Sequence, residues 1–240
     1  MQNRYAGDIG DFVKFGLLRA LSKDRRLGVA WYLHPDEGHN ADGKHVHYLE
    51  DQARWRHLDP DLFDKLKGVV QTGRAIRSLE DANVLNGRFS SEPLESAKLD
   101  WRQRTHWRYS WFERVCTELA DVDLVFADPD NGLVDDNLGR TTRKVFAKQM
   151  PIREALRLAQ GRVAVVYHHN TRRSGGHDLE VDHWLGQFGD QAIAVRANAY
   201  SCRTFFILHA DEEVKRRAAA FCSDWAGLSV RLHRAVKPDD

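Results

Sequence analysis

Residues Asp123–Leu133 read DLVFADPDNGL, an unbroken apolar run that stops at an acidic stretch punctuated by proline and glycine. Leu124–Ala127 is apolar at every position, as a strand covered on both faces must be, and strands of that kind belong to parallel sheets. In open α/β sheets, ligands bind beyond the carboxyl ends of the strands. Asp128-Pro129-Asp130-Asn131-Gly132 falls at such an end, where proline and glycine favour a tight loop.

Working outward, Arg162–Tyr167 (RVAVVY) repeats the buried-strand pattern, and Leu27–Leu33 (LGVAWYL) precedes it, closed by His34-Pro35. Helical patterns alternate with these strands. Phe12–Leu21 repeats apolar residues near helical spacing, Asp59-Pro60 opens a helix through about Val69, and Trp101–Leu119 carries Trp107, Trp111, Val115 and Leu119 at four-residue steps. Thr141–Ala159 reads as mostly helical with a break at Pro151, and Leu179–Phe188 and Asp211–Trp225 complete the helices. Ala75–Leu79 reads as a short strand. Ala192–Ala197 and Thr204–His209 are joined by a few residues and therefore pair antiparallel, and Leu228–His233 is the last strand. The expectation is one α/β domain over residues 1–240, a doubly wound, mostly parallel sheet closed by an antiparallel pair, with an insertion around 83–100.

Composition limits the function classes. With 42% hydrophobic and 30% charged residues, the chain can bury a sizeable core and is not disordered. A formal net charge of +1 means that nucleic-acid binding needs a local patch. No run approaches the roughly 18 apolar residues of a membrane span. Asp8, Asp11 and Lys14 interrupt the N-terminus too early for a signal peptide. Cys116, Cys202 and Cys222 lack metal-type spacing and read as reduced thiols, so a cytoplasmic protein is expected. Nothing in the sequence speaks to oligomeric state.

Three chemistries suit the 128–132 loop. A carboxylate beside a proline carbonyl accepts the protons of an exocyclic amine, as in amino-group methylation. Two carboxylates one residue apart hold Mg²⁺ or Mn²⁺ against a phosphate, as in a nuclease or a nucleotide-sugar transferase. A turn capped by Asp and Asn can also be purely structural. A calcium loop is excluded, because Gly132 comes one position early and the ligand glutamate is missing.

Arg4–Leu18 (RYAGDIGDFVKFGLL) packs glycines, acids and a lysine into a helix start. Gly7 and Gly10 free the backbone there, and Lys14, one turn in, suits an anionic ligand or else a solvated surface. Here the chain resembles the J-type adenine-N6 methyltransferases of large-subunit ribosomal RNA, in the spacing Ala6-Gly7…Asp11…Lys14 and in Asp128-Pro129. The C-terminal order of Ala192–His233 looks similar too. The resemblance implies a class I, Rossmann-like methyltransferase fold using S-adenosylmethionine. The catalytic motif would fall on Asp128, Pro129, Asp130 and Asn131, and cofactor contacts on Gly7, Asp11, Lys14 and the loop of His34, Asp36 and Gly38. Two departures stand out: that loop has one glycine, and Asp130-Asn131 replace the family's proline and tyrosine.

By sheet topology, His168, His169, Asn170 and Arg172 end a strand at the same edge as Asp128, which makes them candidates for substrate binding. Trp101–Arg114 interleaves arginine with aromatic residues, a nucleic-acid pattern, although Trp107 and Trp111 suit a core, with Arg104 and Arg108 in solvent. His45-x-His47 and His168-His169 are weak metal-ligand patterns. The Arg172–Gly176 loop and Arg203 suit phosphate or solvent. The leading expectation is methyl transfer to an exocyclic amine of nucleic acid. Its rivals are a metal-dependent enzyme using Asp128 and Asp130, and a non-catalytic nucleic-acid or protein-binding module on the same fold.

Overall fold

The computed structural model describes residues 1–37, 43 and 45–235, with Leu138 by its backbone alone. Its strands are β1 (Leu27–Trp31), β2 (Gly87–Ser90), β3 (Leu124–Asp128), β4 (Gly132–Val134), β5 (Gln149–Pro151), β6 (Val163–His169), β7 (Ile193–Ala197), β8 (Arg203–Leu208) and β9 (Val230–Leu232). The helices are α1 (Ile9–Leu21), α2 (Gln52–Trp55), α3 (Pro60–Thr72), α4 (Ile76–Asp81), α5 (Trp101–Glu118), α6 (Leu138–Thr141), α7 (Ile152–Leu158), α8 (Gly176–Phe188) and α9 (Glu212–Asp224).

Among the described residues, seven strands form one sheet in the order β2-β1-β3-β6-β8-β7-β9, and β4 and β5 form a small parallel pair. β1 pairs parallel with β2 and β3, and β3 pairs parallel with β6. β8 runs antiparallel to both its neighbours, β6 and β7, and β9 runs antiparallel to β7. Five strands therefore point one way, and β8 and β9 point the other. The chain turns to one side of β1 to make β2 and to the other to make β3, so the order reverses between β1 and β3. Crevices at such reversals are where open sheets take ligands.

Period-two alternation divides the sheet into two cores. Leu27, Val29, Leu124, Phe126, Val163 and Val165 face one way, joining α1, α3 and α9. Ala30, Val125, Ala127, Ala164 and Val166 face the other, joining Trp111 and Val115 of α5, Ala155 and Leu158 of α7, and Val181 and Trp184 of α8. A helix against one face only would show a single apolar stripe. α1 instead is buried from Ile9 to Leu18, because the sheet, α3 and α9 surround it. Phe12, Phe15, Leu17 and Leu18 are fully buried there, each worth about 1.5–3 kcal/mol of burial. Gly16 lets α9 approach: a Cβ at that position would lie 2.7 Å from the Trp225 ring.

Several expectations need correction. Ala75–Leu79 is not a strand: Ile76–Asp81 forms helix α4, with Ile76 and Leu79 buried. The 83–100 stretch carries β2, the edge strand paired with β1, and so belongs to the sheet rather than being added to it. Thr141–Ala159 is not one broken helix. Lys144–Lys148 is a 3-10 turn, Gln149–Pro151 is strand β5, and α7 starts only after Pro151. Arg108 does not face solvent. It is buried against Glu154 at 2.7 Å, with its guanidinium over the Tyr32 ring, and Arg104 donates to the carbonyls of Leu99 and Thr142. These two arginines of α5 are spent inside the fold. Cys116, Cys202 and Cys222 are free thiols.

Candidate functional site

Asp128 ends β3 in register with Trp31, the last residue of β1, at the strand-order reversal. Its parity with Leu124 and Phe126 turns its side chain toward α1. Asp8 caps that helix, its carboxylate accepting from the Asp11 N–H at 3.0 Å. One turn further on, Lys14 Nζ donates to Asp11 Oδ1 and Asp128 Oδ2, each at 2.7 Å. The ammonium lies over the aromatic floor of Phe15, Trp31 and Phe126, 5.1, 5.7 and 5.9 Å from the ring centroids. Oδ2 is the oxygen that Lys14 holds, and the Asp128 side chain, only 3% exposed, lines the cleft.

One buried ammonium serves two carboxylates here, with Asp8 close by. Burial pushes the Asp11 carboxyl up to about 6, more than Lys14 pulls it down, and Asp8 adds to the rise. Burial also works against the charge on Lys14, but Asp11 and Asp128 outweigh it and hold the ammonium above the usual lysine range.

The cleft has a volume of about 320 Å³, near the lower end of small-molecule sites at roughly 300–1,000 Å³. Its lining includes the acids and lysine Asp8, Asp11, Lys14, Asp128 and Asp130, together with Tyr167, His169, Tyr200 and Arg203. Gly10 is the point of closest approach: a Cβ there would lie 2.7 Å from Arg203 Nε. The crevice between the ends of β1 and β3 holds Met1 and Gln2. The Met1 nitrogen donates to the carbonyls of Tyr32 and Asp128 at 2.9 and 3.0 Å. Gln2 Nε2 donates to Asp130 Oδ2 at 2.7 Å, and the Glu37 N–H donates back to Gln2 Oε1. Lys148 Nζ stands 3.7 Å from Asp130.

The structure thus gathers Asp11, Lys14, Asp128, Pro129, Asp130, Asn131 and His169 around one cleft. Gly7 lies just behind it at φ 80°, with its N–H given to Asp11 Oδ2. His34 and Asp36 lie on the far side of Met1. The His34 N–H donates to the Met1 carbonyl, burial pulls its imidazolium below the ordinary range, and Asp36 accepts from the Arg4 N–H. Gly38 lies outside the described residues.

His168 and Asn170 require correction as substrate groups. His168 is fully buried, and its Nδ1 accepts from the Leu133 N–H at 3.0 Å. The proton therefore sits on Nε2, which donates to Glu180 at 3.1 Å. Glu180 also accepts from Thr171 and Asn170, and Asn170 in turn accepts from Thr204. These residues lock the loop after β6 from within, while Arg172 is exposed and does not line the cleft. Parity held the signal: His168 alternates with Ala164 and Val166, on the sheet face away from Asp128. Tyr167 and His169 share the Asp128 face.

The sequence does not mark Tyr200 or Ser201, and it offers Arg203 only to phosphate or to solvent. All three sit on or next to the β7–β8 connection, where no motif marks them. Tyr200 has a φ of 62°, a left-handed conformation that costs a non-glycine residue about 1–3 kcal/mol.

No family model matches the chain, and no curated protein matches it. Its fold is similar to the crystal structure of protein LPL1258 from Legionella pneumophila strain Philadelphia 1, of the family model DUF519. The TM-score is 0.50 over 97% of this chain and 99% of that one, at 12% identity. At that identity the likeness concerns the fold alone, a mixed α/β sheet with flanking helices. Among the described residues no helix is long and apolar enough to cross a membrane, and no group of three or more His, Cys, Asp or Glu could hold a metal ion.

Proposed function

We propose that the chain is a Rossmann-like, S-adenosylmethionine-dependent enzyme that methylates an exocyclic amine of a nucleic-acid base. One observation carries this reading: Asp128, its Oδ2 tied to Lys14, lines the cleft at the strand-order reversal. A carboxylate held in that way keeps one oxygen fixed and offers the other to an amine N–H, orienting the nitrogen lone pair. The Pro129 carbonyl beside it accepts the second proton. Lys14, 2.7 Å from Oδ2, holds the carboxylate in place.

The donor set of the cleft suits the cofactor. Arg203 matches a carboxylate, and Asp8 matches an amine or hydroxyl donor. When bound, the cofactor supplies an electrophilic methyl group, and the chain's own residues position the acceptor. Met1 and Gln2 fill the crevice between β1 and β3, so the cofactor contacts would fall on the cleft beside it, which Asp8, Asp11, Lys14 and Arg203 line. Asp11 and Lys14 remain in that set, whereas His34 and Asp36 do not.

The metal reading is less well supported. Asp130 is already engaged by Gln2 and faces Lys148, and Asp128 is engaged by Lys14. Mg²⁺ or Mn²⁺ bridging the two acids would have to displace Gln2 from Asp130 and sit beside the Lys14 and Lys148 ammonium groups. Transfer of a labelled methyl group to a pool of single-stranded RNA and DNA tests the proposal. It predicts incorporation by the wild type and none by Asp128→Ala, and equal incorporation by both would remove Asp128 from the chemistry.

A further inference from the structure

Tyr200 stands at the mouth of the cleft in a strained conformation that its own packing does not explain. Its φ of 62° places a bulky aromatic residue where glycine or asparagine is at ease. The ring is 61% exposed, so little burial offsets the strain. It is nonetheless held in place. His45 stacks on it with centroids 5.5 Å apart and planes at 28°, and the Trp55 ring lies 6.5 Å away. Arg203 Nη1 donates to the carbonyl of Ala199 at 3.0 Å, fixing the backbone one residue before it.

A rigid aromatic ring at the edge of a small cleft with a carboxylate floor matches one ligand chemistry closely. The ring offers a π-face to a planar heterocycle, and the carboxylates accept the hydrogens of its amino group. We infer that Tyr200, backed by His45, is the stacking residue for an amino-bearing nucleobase of a single-stranded nucleic acid, whose exocyclic amine is directed to Asp128. The inference rests on the amine-recognising reading of the cleft given above.

The test is a fluorescence titration of a short single-stranded oligonucleotide carrying one 2-aminopurine, against wild type, Tyr200→Phe and Tyr200→Asn. Asparagine removes the ring and suits the left-handed backbone, so this variant is expected to melt no lower than wild type. Tyr200→Phe should bind within about two-fold of wild type, and Tyr200→Asn about ten-fold more weakly or worse. Equal binding by Tyr200→Asn and wild type overturns the inference, as does an oligonucleotide that wild type does not bind. The same samples separate this inference from the proposed activity. Binding that depends on Tyr200 without any response to adenosylmethionine leaves stacking standing and removes methyl transfer. Methylation undiminished in Tyr200→Asn removes stacking alone.

Discussion

Lys14 and Asp128, 114 positions apart in the chain, meet at 2.7 Å with both side chains buried. The helix start and the strand end that carry them would each be ordinary alone. Joined, they fix a carboxylate at the point where the strand order reverses, and Asp11 makes the second contact on the same ammonium.

Removing the shared cation should therefore cost more than a surface ion pair would. Lys14→Met leaves Asp11 and Asp128 buried without their counter-charge, and an uncompensated buried charge costs about 3–5 kcal/mol. Urea unfolding at pH 7 measures this. The deficit should shrink at pH 5, where Asp11, whose carboxyl is already pushed up to about 6, takes up a proton.

Asp11 gives a pH dependence of definite sign. Its folded-state value, about 6, lies above the ordinary carboxylate value of 3.8, so the folded protein binds the proton more tightly than the unfolded chain. Its contribution is full below pH 4 and is lost as the pH rises through 6. Denaturation of wild type at pH 4 and pH 7 should show that decline. Asp11→Asn, which does not titrate, should lack it.

Glu180 works in the opposite direction. Although burial alone would raise its carboxyl, hydrogen bonds from His168 and Thr171 hold it down at about 2. Its contribution is present above the ordinary value of 4.5 and is lost as the pH falls through 2. Glu180→Gln should be less stable by about 1–3 kcal/mol at neutral pH, the cost of weakening buried hydrogen bonds. The gap should close near pH 2. Oligonucleotide binding at pH 7 should be unchanged for the folded variant, because this network faces away from the cleft.

Packing of α1 on α9 can be tested at Gly16. Alanine is the better helix former, yet its methyl group would lie 2.7 Å from Trp225. Gly16→Ala should destabilise the fold by about 1–3 kcal/mol, the usual cost of overpacking, as read by thermal melting. A gain in stability would show that Trp225 yields freely.

Much of the fold was legible because its central strands are unusual sequences. β1, β3 and β6 are apolar at nearly every position and end in proline or polar residues, which few other structures require. β2 escaped notice because Gly87–Ser90 is half-exposed at the sheet edge and carries no apolar run. Ala75–Leu79 reads equally well as strand or helix, because five residues with three apolar positions fit both. At the site, Asp128 and Lys14 could be placed from strand end and helix start. Tyr200 could not, since neither its backbone angle nor its proximity to Asp128 leaves a mark in a short connection. His168 could have been placed correctly by counting parity along β6.

The metal alternative makes an opposed prediction. If Asp128 and Asp130 were ligands, Mn²⁺ would raise the melting temperature of wild type but not of Asp130→Asn. With both carboxylates already engaged by Lys14, Gln2 and Lys148, neither protein should shift.

Calorimetric titration with S-adenosylmethionine tests the central claim most directly. The account predicts a saturable heat at sub-millimolar cofactor for wild type, lost or strongly weakened in Lys14→Met samples shown by melting to be folded. No heat from wild type at millimolar cofactor would contradict it.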